Sequence, residues 1–150
     1  MTTATAIAKA ETYGSFEEVK KVIEAFETCT LPRADWTHAA HLTVAFWYLV
    51  CYPLPEATVR IKTGILRYNE SQGVKQTKDG GYHETITLFW IHVVRHYLTM
   101  ATLDAHLTAL LNDLINRCDT RLPLAYYSRE FLFSWEARLQ WRAPDLKPLP

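Results

Sequence analysis

Three histidines, His38, His41 and His83, carry the residue types and spacing in this chain that point most directly to chemistry. Neutral imidazole is the commonest protein ligand for zinc, copper, iron and nickel, and helix bundles build metal sites from side chains that facing helices project inward. A His-x-x-His pair on one helix with a third histidine from another would supply three nitrogen ligands. Positions would then stay open for water or substrate, as catalytic sites require. The competing reading is three core histidines hydrogen-bonded to backbone carbonyls or tyrosines.

Helical rotation motivates the first reading. The apolar pattern from Trp36 to Tyr52 predicts a helix opening at Asp35 as N-cap, after the helix-stopping segment 31–34. At about 100° per residue, His38, His41, Leu42, Ala45, Leu49 and Tyr52 share a sector roughly 100° wide. A second helix, from about Tyr82 to Leu98, places Ile86, Trp90, Val94 and Tyr97 within about 60° of His83. His92 and His96 have ligand-like i, i+4 spacing but project roughly 140 to 180° away from that stripe, and so read as surface residues.

Other polar residues fall near these stripes. Glu84, about 100° from His83, could complete a metal shell, orient a ligand imidazole or act as general base; a solvated first-turn glutamate complementing the helix dipole is the plain alternative. Thr87 could lend a neighbouring hydroxyl. Tyr126, Tyr127, Ser128 and Arg129 form a polar-aromatic cluster in which phenols and a guanidinium could meet substrate, Tyr127 being the catalytic candidate. Tyr48 and Tyr52 are candidate pocket walls, or ordinary core aromatics.

Five or six helices must position these groups. Ser15 should cap the first, with Glu18 completing a capping box and Phe16, Val19, Val22, Ile23 and Phe26 forming its buried stripe. The His38/His41 helix stops at Pro53. A third starts on Pro55 and runs through Val59, Ile61, Ile65 and Leu66 to about Glu70, weakened by Gly64. Residues 71–81 are polar and glycine-punctuated, a loop that could serve as a lid. The His83 helix follows, then one capped by Thr102 that buries Leu103, Leu107, Leu110, Leu111 and Leu114. Residues 122–128 should be irregular, with Ser134 capping a short terminal helix; residues 1–14 and 144–150 read as irregular tails. Without alternating strand patterns or internal repeats, this describes one all-α domain over residues 1–150.

Composition narrows the function. The 150 residues are 49% hydrophobic and 13% aromatic, enough for one substantial core. Sixteen basic residues balance sixteen acidic ones without a long run of either sign, so nucleic acid and anionic membranes are not expected partners and a small-molecule substrate is. Three widely spaced cysteines without a Cys-x-x-Cys pair suit a reducing compartment and argue against a thiolate-rich metal site. The segment Met1 to Gly14 lacks the pattern of a secretory leader and no apolar run is long enough to span a bilayer, so a cytoplasmic protein is expected; homo-oligomerisation stays open. No Gly-x-Ser-x-Gly elbow, phosphate-binding glycine motif, His-Asp doublet or Glu-x-x-His pair is present.

The blocks Trp36-Thr37-His38-Ala39-Ala40-His41-Leu42, Gly81-Tyr82-His83-Glu84-Thr85 and Leu122-Pro123-Leu124-Ala125-Tyr126-Tyr127-Ser128 together resemble a family of short bacterial proteins. The resemblance implies a stand-alone domain and brings no activity, substrate or cofactor. A looser similarity to DinB-like helical bundles, which often hold a metal with three histidines, is analogy only, because the order and spacing of the histidines differ. The reading that results is a small metal-dependent enzyme with one divalent first-row ion (Zn, Cu, Fe or Ni) on His38, His41 and His83, performing hydrolase/lyase-type or oxygen chemistry. The alternatives are a non-catalytic helical module that binds an apolar ligand or haem, and a protein-interaction domain.

Overall fold

The computed structural model describes residues 13–102 and 106–150, and these form an all-helical bundle around one core. Five helices carry it: α1 (Phe16–Glu27), α2 (His38–Cys51), α3 (Leu54–Ser71), α4 (Glu84–Met100) and α5 (Leu107–Arg117). The terminal helical region is two short pieces, α6 (Arg129–Leu132) and α7 (Trp135–Leu139). Among the described residues no helix is long and apolar enough to cross a membrane.

Local signals set the helix ends. Ser15 Oγ accepts the Glu18 N–H at 3.4 Å, while the Glu18 carboxylate takes the Gly14 N–H at 2.9 Å, a capping box shifted by one residue. Thr37, not Asp35, caps α2 by accepting the Ala40 N–H at 3.2 Å; Asp35 instead closes a single 3-10 turn, Arg33–Asp35. Ser134 caps α7 as expected, through the Ala137 N–H. The fourth helix starts after His83, which is its N-cap rather than a member of its stripe.

Helix α2 occupies the centre, packed against α1, α3, α4 and α5. Ala39, Ala40, Leu42, Thr43, Val44, Ala45, Phe46 and Tyr48 are all buried, so this helix is covered almost all round instead of on one stripe. In α3 only part of the apolar run is buried. Ala57, Ile61, Gly64 and Tyr68 face inward at i, i+4, i+7 and i+11, whereas Val59 and Leu66 are exposed. Gly64 lies inward because the Phe26 ring nests on it; a Cβ there would stand 2.8 Å from that ring. In α5, Leu111 and Leu114 are buried while Leu107 is exposed; Thr102 precedes the helix without capping it, since His106 is the N-cap, and Leu103 lies outside the described residues.

The loop after α3 is fastened to α7. Arg138, 8% exposed, donates from Nε to the Lys78 carbonyl at 3.1 Å and from one terminal nitrogen to the carbonyls of Gly81 at 3.1 Å and Tyr82 at 3.4 Å. Gln76 Nε2 also donates to the Tyr82 carbonyl at 2.9 Å. A guanidinium fork suits several carbonyls at once, and the segment is a clamped strap rather than a free lid. The 144–150 tail is likewise docked: the Leu146 N–H donates to the Tyr126 carbonyl and Asp145 accepts from Ser128 N–H and Oγ–H.

Candidate functional site

His38 and His41 occupy the first turn of α2, and each gives one ring nitrogen to a backbone carbonyl. His38 Nε2 lies 2.9 Å from the Cys118 carbonyl and His41 Nδ1 lies 2.7 Å from the Thr37 carbonyl. A carbonyl only accepts, so both nitrogens carry protons, and the neutral tautomers leave lone pairs on His38 Nδ1 and His41 Nε2. The His41 ring packs 3.8 Å from the Trp36 ring, which stacks in turn on Phe26 at 4.9 Å. Burial and, secondarily, the neighbouring His38 pull the His41 pKa down to about 4, against the upward effect of its Thr37 hydrogen bond. His41 is therefore neutral at pH 7, and its Nε2 meets no protein donor among the described residues.

His83 differs. Its Nδ1 accepts the Ile86 N–H at 3.1 Å as the α4 cap, and its Nε2 donates to the Leu132 carbonyl at 2.9 Å. Both nitrogens are spent within a buried setting that lowers its pKa. The donor set of His38, His41 and His83 thus does not fit a three-histidine centre, since a metal on His83 would have to displace either the helix cap or the tie to Leu132. Among the described residues, no group of three or more His, Cys, Asp or Glu side chains could hold a metal ion.

Two clefts flank His41 and Ile86, which line both. The larger, about 460 Å³, lies between the starts of α2 and α4 and the 120–133 segment. His38, His41, Thr120, Arg121 and Arg129 supply its polar lining, and Trp90, Leu124 and Phe133 contribute to its apolar walls. The smaller, about 260 Å³, includes Arg33, Trp36, Tyr68, Asn69, Tyr82 and Thr87. Size and mixed lining suit small-molecule sites.

The remaining candidates are distributed unevenly. Arg129 lines the larger cleft and Thr87 the smaller. Glu84 bridges α3 and α4, accepting from Lys62 Nζ at 2.7 Å and Tyr82 Oη at 2.6 Å, and lines neither cleft. Those neighbours rather than a reacting group occupy its oxygens, while burial, followed by the hydrogen bond to Glu84, raises the Tyr82 phenol. Tyr127 is fully buried; its hydroxyl donates to the Arg142 carbonyl at 2.6 Å and burial pushes its pKa up to about 12, so the catalytic candidate is a core aromatic. Tyr126 is half-buried between Phe89 and Lys147. Tyr48, hydrogen-bonded to Glu27 at 2.5 Å, and Tyr52, beneath Arg60, pair with each other in the last turn of α2 and its C-cap, and line neither cleft. His92 and His96 are exposed, as expected.

Arg121, Trp90 and Phe133 were not singled out by sequence reasoning. Trp90 had a signal, since it shares the Ile86 stripe; Arg121 and Phe133 reach the cleft through irregular backbone, for which periodicity is silent. Compared with protein-family models, curated proteins and solved structures, the chain matches none at a significant level. The site must be read from its own chemistry.

Proposed function

We propose that this protein binds a small molecule in the larger cleft beside His41, with His41 Nε2 as the hydrogen-bond acceptor that orients it. The observation that carries the reading is the state of this one imidazole. It is neutral, oriented by a donor bond to Thr37, holds on Nε2 a lone pair that no protein donor claims among the described residues, and lines a cleft of ligand size. A neutral histidine that orients a ligand has that arrangement: one nitrogen fixed by a backbone acceptor, the other left to accept from the bound molecule. His38, against the Trp90 ring at 4.8 Å, supplies the adjoining polar wall.

The test is a fragment screen read on the histidine side chains by long-range ¹H–¹⁵N correlation. Fragments carrying an O–H or N–H donor should move the His41 Nε2 resonance, and His41→Asn, whose amide can keep the donor bond to Thr37 while removing the Nε2 lone pair, should lose them. If fragments bind elsewhere on the protein and none perturbs His41, the reading is wrong.

A further inference from the structure

The larger cleft has an asymmetry of charge that specifies a ligand class. It is lined by two guanidiniums, Arg121 and Arg129, and by no Asp or Glu among the described residues. Arg121 is partly occupied, its Nε lying 3.4 Å from the Asp119 carboxylate. Arg129 is not: it stands 5.6 Å over the Phe133 ring, and its five N–H donors meet no acceptor among the described residues. Glu130, its exposed neighbour in sequence, makes no ion pair with it. An arginine held over an aromatic face keeps its planar N–H edge for a carboxylate.

The walls specify the rest of the molecule. Phe133 remains 43% exposed at the cleft, a large apolar surface left in water, and Trp90 and Leu124 line the same cleft as His41. A guanidinium without a protein counter-ion among the described residues, the Phe133 ring beside it and a neutral acceptor in the same cleft make three complementary demands. We infer that the ligand is a small organic monocarboxylate with an aromatic or alicyclic body, its carboxylate on Arg129 with Arg121 adding positive potential, its body on Trp90, Leu124 and Phe133, and a donor group reaching His41 Nε2. This assignment rests on the His41 cleft being the binding site.

The probes are 5-hydroxy-1-naphthoate, its smaller relative 3-hydroxybenzoate, and the neutral 5-hydroxy-1-naphthamide, each carrying a phenolic donor for His41, titrated into the full-length wild type and into Arg129→Gln and Arg121→Gln, with binding followed at the Trp90 and histidine resonances. Naphthoate should bind the wild type about fivefold more tightly than naphthamide, as a charge-assisted bond implies. Arg129→Gln should remove that preference without weakening naphthamide, and Arg121→Gln should reduce it less, because Asp119 already occupies Arg121. Equal binding of naphthoate and naphthamide, with His41 responding to both, would overturn the carboxylate assignment and leave the cleft standing. Absence of any response at Trp90 and His41 to all three probes would sink both.

Discussion

Between pH 7 and pH 4.5 this protein is expected to lose about 2 kcal/mol of stability through His41 alone. An unfolded histidine titrates near 6.5, and burial lowers that of His41 to about 4 in the folded state. The unfolded chain then binds the proton first, so the stability associated with His41 is complete above about pH 6.5 and drains as the pH falls towards 4. Applying those two constants between pH 7 and 4.5 gives about 2.4 kcal/mol, which the partial exposure of the ring reduces to about 2. The assay is urea unfolding at both pH values for the wild type and His41→Asn. Carboxylates and His83, whose pKa is also lowered by burial, titrate in both proteins and cancel in the difference. The wild type should lose about 2 kcal/mol more than the variant on acidification. Parallel losses would show that His41 titrates as in solution, and the account of a desolvated, neutral imidazole would fail.

Removing the Arg138 fork by Arg138→Met leaves the carbonyls of Lys78 and Gly81 without their side-chain donor and the Tyr82 carbonyl with Gln76 alone, and should cost about 2–4 kcal/mol by denaturant midpoint while speeding amide exchange in residues 76–82. Gly64→Ala should lower the melting temperature by the equivalent of about 1–3 kcal/mol, because the new methyl meets Phe26 at 2.8 Å; a rise in melting temperature would mean that helix propensity outweighs packing there. His83→Asn retains a capping side chain and should leave the first-row metal content of protein purified without an affinity-tag metal step unchanged. Loss of about one equivalent of metal in that variant would restore the three-histidine centre.

The fold was legible where an element buries a single face. Of the stripe read for α1, Val19, Ile23 and Phe26 are buried while Phe16 and Val22 are half-buried, and the Ser134 cap and the break at Pro53 are present as read. Legibility failed where burial is complete or backbone is irregular. Rotation about α2 could not say what His38 and His41 face, since a central helix has neighbours on every side and the angle selects none of them. His83 was misread because a capping side chain obeys the geometry of the helix end and not the 3.6-residue period, and nothing in Gly81-Tyr82-His83-Glu84 separates cap from first turn. Glu84 and Tyr127 were chosen for their chemical type; what decides their role is the partner, Lys62 and Tyr82 for one and the Arg142 carbonyl for the other, and such partners are set by long-range packing. Arg138 offered no signal, because its acceptors are carbonyls 56 to 60 residues away.

The most direct test of the site is a pH titration of the His41 ring by long-range ¹H–¹⁵N correlation, repeated with saturating 5-hydroxy-1-naphthoate. The free protein should show the Nδ1–H tautomer at pH 7 and a midpoint near 4, and the Nε2 resonance should shift when the carboxylate is added. An Nε2–H tautomer, or a midpoint near 6.5 with no response to ligand, would contradict the assignment of His41 as the free acceptor of the cleft.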